Sequence, residues 1–178
     1  MRQKLQLHPD SSCFAVTHIE VEVARPQACN LVFTYAVSGR INDLAMPTLA
    51  AAARTDQLWR HTCFEAFIGT SQDVAYYEFN FAPSTQWAAY RFSSYRTGMR
   101  VATEISAPGI AVESSPDRYI LRASVQFNQG LLSQRAAWRL GISAVIEEIS
   151  GNQSYWALAH QTGKADFHHS DCFTLEVV

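Results

Sequence analysis

Regular alternation of unlike side chains in two adjoining segments constrains the fold of this chain more than any other feature. In CFEAFI, residues 63–68, Glu65 belongs to one set of alternate positions and the other set is wholly apolar. In YYEFNF, residues 76–81, Glu78 and Asn80 alternate with aromatic rings. A period of two is typical of β-strands that have two unlike faces. The segments therefore predict neighbouring strands with one core face and one polar face.

Strand-like segments recur along the whole chain, separated by short turns such as APSTQ and SSPD. Close spacing of this kind is typical of antiparallel meanders. The pattern predicts an all-β fold, an antiparallel β-sandwich of two sheets without long helices. Strands are expected at 14–24, 31–37, 62–68, 75–82, 87–92, 100–105, 110–113, 119–127, 138–147, 154–160 and 173–178.

Three features interrupt this pattern. Arg25 and Pro26 are expected to break the first strand. The longest irregular connection is INDLAMPTLAAAARTDQ, which holds a short alanine-rich helical turn at most and is long enough to predict a functional or mobile loop. A second short helical turn is expected around Leu131 to Arg135.

Length, charge and hydropathy limit the classes of protein. A length of 178 residues with 48% hydrophobic residues predicts one domain, 1–178, with a full core. The net charge of −2 and the absence of basic runs argue against nucleic acid and anionic membranes as partners. No segment approaches the roughly 20 apolar residues of a membrane helix. The start, MRQKLQLHPDSSC, lacks the apolar run of a secretory signal, so we expect a cytoplasmic protein.

The four cysteines are scattered without a CxxC pair, which argues against a zinc knuckle and a redox motif. We expect reduced and mostly buried thiols. If the chain were exported, a disulfide between Cys13 and Cys172 would be the alternative, because terminal strands often pair in sandwiches.

The predicted polar face is the first candidate binding site. An aromatic ring that stacks on a pyranose, together with planar groups that bind adjacent hydroxyls, is the mixture that a saccharide site needs. Two alternatives remain: an ion network of Glu65, Glu78 and Arg91 that stabilises the sheet, and a glycosidase with two carboxyl groups about 5 to 10 Å apart. In a simple meander the face gathers Glu65, Glu78, Asn80, Trp87 and Arg91, with Ser124, Gln126 and His160 as an extension.

Loops at one end of a sandwich are the second source of candidate residues. Trp138 heads an alternating strand and is expected in the core, whereas Trp59, Trp87 and Trp156 are candidate stacking platforms. Zinc is disfavoured because HxxxH spacing on a helix is absent and the adjacent His168 and His169 point apart if extended. The expected loop residues are Trp59, Arg60, His160, Lys164, Asp166 and His168, with Arg60, Arg91 and Lys164 as phosphate contacts if the ligand is a nucleotide sugar.

Four blocks of the chain carry a resemblance to a known family: TCFEAFI, YYEFNFAPSTQWAAYRF, LGISAVIEE and YWALAHQTGKADFHHSDCF. They resemble bacterial DOMON-like proteins, a branch of the superfamily that includes family-nine carbohydrate-binding modules. The resemblance implies an immunoglobulin-like or jelly-roll β-sandwich whose relatives bind sugars or heme. Met46 and Met99 are the candidate heme ligands together with a histidine, but the methionine and histidine pattern of the heme-binding relatives is not matched. The calcium of the sugar-binding relatives is disfavoured because no acidic loop occurs.

These observations predict a noncatalytic module that reversibly binds a small polar ligand, a saccharide or a sugar-containing metabolite. The alternatives are a heme-binding or redox DOMON-type domain, a small glycoside hydrolase that uses Glu65 and Glu78, and a scaffold for another protein. No cofactor is predicted, although heme and a structural metal stay open. A homodimer stays open as well.

Overall fold

The computed structural model describes residues 1–70, 73–128 and 137–177. Helical structure in these ranges consists of single 3-10 turns at Ile41–Asp43, Leu58–Arg60 and Ser170–Cys172. The turn expected around Leu131 to Arg135 lies outside the described residues. The strands are β1 Arg2–Leu7, β2 Val16–Gln27, β3 Asn30–Gly39, β4 Cys63–Thr70, β5 Tyr76–Phe81, β6 Trp87–Phe92, β7 Arg100–Val101, β8 Gly109–Ser114, β9 Arg118–Gln126, β10 Trp138–Glu147, β11 Gln153–Ala157 and β12 Leu175–Val177.

The strands form one curled antiparallel sheet with β1 at its middle. The order is β7-β6-β5-β4-β10-β11-β1-β2-β3-β9-β8, and β12 pairs with β10 beside β11. Residues 2–5 of β1 pair with β2, whereas Gln6 and Leu7 pair with β11. We call β2, β3, β8 and β9 the first half, and β4 to β7 with β10 to β12 the second half. The predicted all-β, antiparallel architecture is confirmed.

The core lies between the two halves, because each half turns its apolar set of alternate side chains inward. Phe33 of β3 lies 6.0 Å from Phe81 of β5, measured between ring centroids, and Tyr35 lies 5.0 Å from Phe64. The buried hydroxyl of Tyr35 donates a hydrogen bond of 2.8 Å to the carbonyl oxygen of Glu65, as a buried phenol requires. Trp138 is 1% exposed within this cluster, which confirms its predicted core position.

Three strands differ from the predicted ones. Strand β1 was missed because Leu5 is the one fully buried side chain in RQKLQL, too weak a pattern to distinguish from a polar tail. Strand β2 continues through Arg25 and Pro26, where a register shift between Ala24 and Gln27 accommodates the residue that lacks an amide hydrogen. The strand expected at 100–105 is only two residues long.

The long connection between β3 and β4 lies along the start of β6. The amide of Thr55 donates to the carbonyl of Trp87 at 2.8 Å, and the amide of Trp87 donates to the carbonyl of Ala53 at 3.1 Å. This pairing fixes the position of residues 56–60, which follow directly. None of the described helical turns is long and apolar enough to cross a membrane.

Candidate functional site

An open cleft of about 1060 Å³ lies on the outer face of the second half, the face turned away from the core. Strands β4, β5, β6, β10 and β11 contribute its floor. Its walls come from three connections, at residues 56–60, 96–101 and 165–168. A concave site of this size accommodates a small organic ligand.

Glu65 and Glu78 lie side by side on the cleft floor. Glu65 pairs with Asn80 across β4 and β5, and Phe67 pairs with Glu78, so the two glutamates are diagonal neighbours on the same face. Their residues are only 3% and 6% exposed. The structure thus places Glu65, Glu78 and Asn80 on one polar face, as the alternation predicts.

Neutral side chains support the two carboxylates. Asn80 Nδ2 donates to Glu78 Oε1 at 2.7 Å, and Ser143 Oγ donates to Glu65 Oε2 at 3.3 Å. Burial, and then repulsion from Glu78, raises the pKa of Glu65 well above its usual range. Burial also raises the pKa of Glu78, against the opposing hydrogen bond from Asn80. The two groups therefore titrate as one coupled pair that favours holding a proton.

His168 covers one end of this pair. Its Nε2 lies 3.6 Å from Glu78 Oε2, and its Nδ1 lies 2.8 Å from the Tyr76 hydroxyl. Because the Tyr76 oxygen already accepts the amide of Arg96 at 3.2 Å, its own proton can be donated to Nδ1. That arrangement favours the tautomer with a proton on Nε2, toward Glu78. Burial, and then the charge of Arg96, lowers the pKa of His168 to about 4.

An ion pair joins two of the cleft's walls. Arg96 Nη2 lies 2.7 Å from Asp166 Oδ1, and Tyr95 donates its hydroxyl proton to the other oxygen of the same carboxylate. The amide of His168 donates to Asp166 Oδ1 at 3.1 Å, which holds the 165–168 segment in place. Hydrogen bonds from Arg96 and Tyr95 lower the pKa of Asp166 against its partial burial. Arg96 itself has the left-handed φ of 51° that turns its backbone toward Tyr76.

Aromatic rings line the sides of the cleft. Trp59 is 48% exposed, and the guanidinium of Arg60 lies 5.6 Å from its ring centroid. The rings of Tyr155 and Phe167 pack against each other in a tilted arrangement, 6.2 Å apart between centroids. Tyr90 is fixed by a hydrogen bond of 2.5 Å from its hydroxyl to Asp56 Oδ1. The cleft thus combines partly exposed rings on its walls with buried polar groups on its floor.

Five of the predicted site residues line the cleft, namely Trp59, Arg60, Glu65, Glu78 and His168. Asn80 and Asp166 lie directly behind it, bonded to Glu78 and Arg96. Lys164 is exposed beyond the cleft lining. His160 lies beside His8, 4.8 Å between ring centroids, with its Nε2 2.8 Å from the carbonyl oxygen of Gln6.

The prediction that Trp87 and Arg91 share the face of the glutamates is wrong. Phe81 pairs with Trp87, and Tyr77 pairs with Arg91, so both residues lie on the opposite face of the sheet. The guanidinium of Arg91 packs over the Tyr77 ring at 4.9 Å from its centroid. The predicted ion network of Arg91 with Glu65 and Glu78 is wrong for the same reason.

Trp156 is also turned inward. It pairs with Leu7 and Ala144, is 5% exposed, and donates its indole N–H to Ser154 Oγ at 3.0 Å. Ser124 and Gln126 do not extend the polar face either, because their strand β9 belongs to the first half.

Several residues of the cleft were missed in the sequence. Tyr90 pairs with Glu78 and therefore lies on the cleft face of β6, where we expected Arg91. The alternation of Tyr90 and Phe92 in β6 is a sequence signal that could have identified both rings, had the register of β6 been known. Arg96 and Asp56 lie in loops without periodicity, so no sequence signal identified them. The other missed residues are Gln57, Arg100, Val101, Val145, Gln153, Tyr155, Ala165 and Phe167.

Cys13 and Cys172 are both reduced, so the alternative disulfide between them is not formed. Within residues 1–70, 73–128 and 137–177, no three histidine, cysteine or acidic side chains are placed to hold one metal ion. Met99, a candidate heme ligand, lies on the rim of the cleft and is 62% exposed.

Comparison with known proteins shows the fold but no family. No family model matches the chain, and no curated protein matches its sequence. A solved structure from Bacteroides uniformis ATCC 8492, described as a candidate carbohydrate-binding protein, superposes with a TM-score of 0.70 at 12% identity, over 97% of this chain and 84% of that one. This likeness shows that the two chains share a fold.

Two structures of a family-nine carbohydrate-binding module from Caldicellulosiruptor kristjanssonii are more distant. The complex with cellotriose has a TM-score of 0.49 at 12% identity, covering 89% of this chain and 74% of that one. The complex with glucose has a TM-score of 0.48 at 13% identity, covering 89% and 76%.

Proposed function

We propose that the cleft reversibly binds a saccharide and leaves it chemically unchanged. The observation that carries this proposal is the combination of exposed aromatic rings on the walls with a buried carboxylate and amide cluster on the floor. Sugars present apolar C–H faces and polar hydroxyl edges, so their sites need both kinds of surface. Nonspecific apolar ligands would not require the buried glutamates.

The walls would supply most of the binding area. Trp59 is the most exposed ring of the cleft, and the guanidinium of Arg60 lies over it, so a ligand that stacks on Trp59 also meets a cation. Tyr155 and Phe167, which also line the cleft, would add further ring contacts to the ligand. Stacking between rigid rings and a sugar face loses little side-chain entropy on binding.

The floor would fix the orientation of the ligand. Glu65 and Glu78 present carboxyl oxygens toward the cleft, and adjacent hydroxyls of a pyranose can donate to both. A carboxyl group keeps acceptor capacity when it is protonated and then also donates one hydrogen bond, so either form of the pair can bind hydroxyls. Asn80 and Ser143 hold the carboxyl groups in position before any ligand arrives.

The Bacteroides uniformis protein supports the proposal, because its fold is shared and it is described as a candidate carbohydrate-binding protein. We also infer that the curled sheet is a DOMON-like β-sandwich and that residues 1–178 form one domain. The continuous core between the two halves supports that assignment.

The proposal is tested by titrating a panel of mono- and oligosaccharides into the protein and measuring both thermal stability and heat of binding. A saccharide at about 100 times its Kd adds about 2.7 kcal/mol to the free energy of unfolding. Trp59→Ala should weaken the binding of that saccharide about tenfold or more, because it removes the exposed stacking ring. Chromatography of the mixture should recover the saccharide intact.

Phe14→Ala is the matched control, because Phe14 is an exposed ring, 73% exposed, that does not line the cleft. It should bind the saccharide as the wild type does. Absence of binding across the panel, or an unchanged affinity in Trp59→Ala, would contradict the proposal. A cleaved saccharide would show that the two glutamates catalyse hydrolysis instead.

A further inference from the structure

We propose that the saccharide of this cleft is an amino sugar, whose ammonium group sits against Glu65 and Glu78. This inference rests on the proposed function and specifies its ligand class. It follows from the distribution of charge and hydrogen bonds around the cleft floor.

The basic side chains of the cleft already have partners or lie at its rim. Arg96 forms its ion pair with Asp166, and Arg100 pairs with Glu104 at 2.7 Å. Arg60 is exposed and lies over the ring of Trp59. None of the described lysines or arginines forms an ion pair with either glutamate of the floor. The charge of Arg96 lowers the pKa of both glutamates without a direct bond to either, so the floor can still accept a positively charged group from a ligand.

The acceptor capacity of the floor is also incomplete. Glu65 accepts one hydrogen bond, from Ser143, and its Oε1 has no hydrogen-bond donor among the described residues. Glu78 accepts from Asn80 through Oε1, while its Oε2 has only His168 Nε2 at 3.6 Å. Neither glutamate has a fully buried oxygen without a partner, so these free acceptor sites open toward the cleft, where a ligand can reach them.

An ammonium group supplies both a positive charge for the acidic pair and hydrogen-bond donors for its free oxygens. It carries a full positive charge and three N–H donors, whereas a hydroxyl carries one donor and no charge. Two diagonal carboxyl groups on adjacent strands present acceptors to one such group from two sides. The surrounding rings can contact the rest of the sugar, so the site discriminates by charge at its floor and by shape at its walls.

Proton release is a distinctive consequence of this ligand class. Burial raises the pKa of the carboxyl pair, and an ammonium beside the pair would lower it again, so binding should release a proton. A neutral sugar has no charge that drives this release. The other titratable or charged groups facing the pair are Cys63 on β4, Tyr76 on β5, Tyr90 on β6, Arg96 and His168 on the loops, and Tyr35 on β3.

These neighbours keep their protonation state near neutral pH, so the released proton would come from the carboxyl pair. Burial raises the pKa of Cys63 and of the three tyrosines, so they stay neutral and protonated near neutral pH. His168 stays neutral because burial lowers the pKa of its ring. Arg96 stays charged throughout.

Calorimetric titration of the full chain with glucosamine oligosaccharides, N-acetylglucosamine oligosaccharides and glucose oligosaccharides of equal length tests the inference. At about pH 6.5, where the free amine is mostly charged, the glucosamine oligosaccharide should bind at least about tenfold more tightly than the other two. Repeating the titration in two buffers of different ionisation enthalpy should reveal proton release for the amine alone.

Glu78→Gln and Glu65→Gln should each abolish that preference and the proton release, because they weaken the glucosamine oligosaccharide at least about tenfold more than the two neutral oligosaccharides. Glutamine has the shape of a protonated glutamate, so both variants should fold, which circular dichroism checks. Glu113→Gln, on the exposed strand β8, is the matched control and should keep the preference.

The failures are distinguishable. If the neutral oligosaccharides bind as tightly as glucosamine oligosaccharides, or if the glutamine variants weaken all three equally, the inference is wrong and the proposed saccharide-binding function stands. If none of the three binds and the wider panel also fails, the proposed function falls together with the inference.

Discussion

At the scale of single residues, His168 shows how the cleft enforces a neutral imidazole. The ring packs edge-on against Phe67 and Phe92, each 5.0 Å away between centroids, and its nitrogens face Tyr76 and Glu78. These surroundings stabilise the uncharged ring and penalise its protonation. Since the unfolded chain has no such penalty, the stability of the protein becomes dependent on pH.

His168→Asn tests this linkage. The pKa of His168 is about 4 in the folded protein, below the value of about 6.5 in an unfolded chain. The unfolded state therefore binds more protons between these two values, and the free energy of unfolding falls as the pH falls through that window. Between about pH 7 and pH 4 the wild type should lose about 3 kcal/mol more stability than the variant.

Urea unfolding at a series of pH values measures the difference. His18→Asn removes an imidazole from β2 in the first half and shows whether loss of any histidine has the same effect. Parallel pH profiles for the wild type and His168→Asn would contradict the assignment of the linkage to His168.

At the scale of elements, strand β10 carries a glycine, Gly141, at the point where Phe173 packs against the sheet. Gly141 lies on the outer face, opposite Phe67 of β4, and the ring of Phe173 occupies the space above it. Phe173 in turn contacts Phe67 and Tyr76 at centroid distances of 5.8 and 5.6 Å. The missing side chain of Gly141 thus allows a second apolar cluster to form beneath one end of the cleft.

Gly141→Ala should lower the free energy of unfolding by about 1 to 3 kcal/mol, because overpacking displaces the ring. The added Cβ would lie 2.8 Å from Cδ1 of Phe173, closer than two carbons tolerate. Chemical denaturation measures the loss. Gly109→Ala is the control: its added Cβ in β8 would meet no atom within 4 Å, so stability should stay unchanged or rise slightly. Equal stability of the two variants would contradict the packing argument.

At the scale of the whole molecule, β1 connects the two halves of the curled sheet. It is the strand that pairs with both β2 and β11, and Leu5 from its centre is buried in the common core. Loss of packing at this position should therefore affect both halves together. A protein whose halves share one core is expected to unfold in a single transition.

Leu5→Ala should lower the free energy of unfolding by about 2 to 5 kcal/mol, the usual cost of an emptied core position. Far-ultraviolet circular dichroism and tryptophan fluorescence should show coincident transitions at the lowered midpoint. Lys4→Ala is the matched control, because Lys4 is exposed on the same strand, and it should change stability by less than about 0.5 kcal/mol. Two separate transitions in Leu5→Ala would indicate that the halves unfold independently.

Much of the architecture was predictable, because period-two patterns act locally and strongly. The alternation of Glu65, Glu78 and Asn80 with apolar residues assigned these three side chains to one face, and turn residues separated most strands. The register of β6 against β5, across the turn at residues 82–86, could not be predicted in this way. A shift of one residue moves every side chain of β6 to the other face of the sheet. No local sequence feature shows that Trp87 and Arg91 take the core face and that Tyr90 and Phe92 take the cleft face.

The sequence by itself determined an all-β antiparallel chain, its core-facing residues on most strands and the acidic pair of the cleft floor. Only the tertiary structure decided which rings and which arginine join that pair. Arg96, Tyr155 and Asp56 come from segments far apart in the chain, and they meet because β11 and the two loops converge on one face of the curled sheet. Periodicity reports which way a side chain points relative to its own strand, whereas a binding site depends on which strands become neighbours, and that is settled by packing of the whole core.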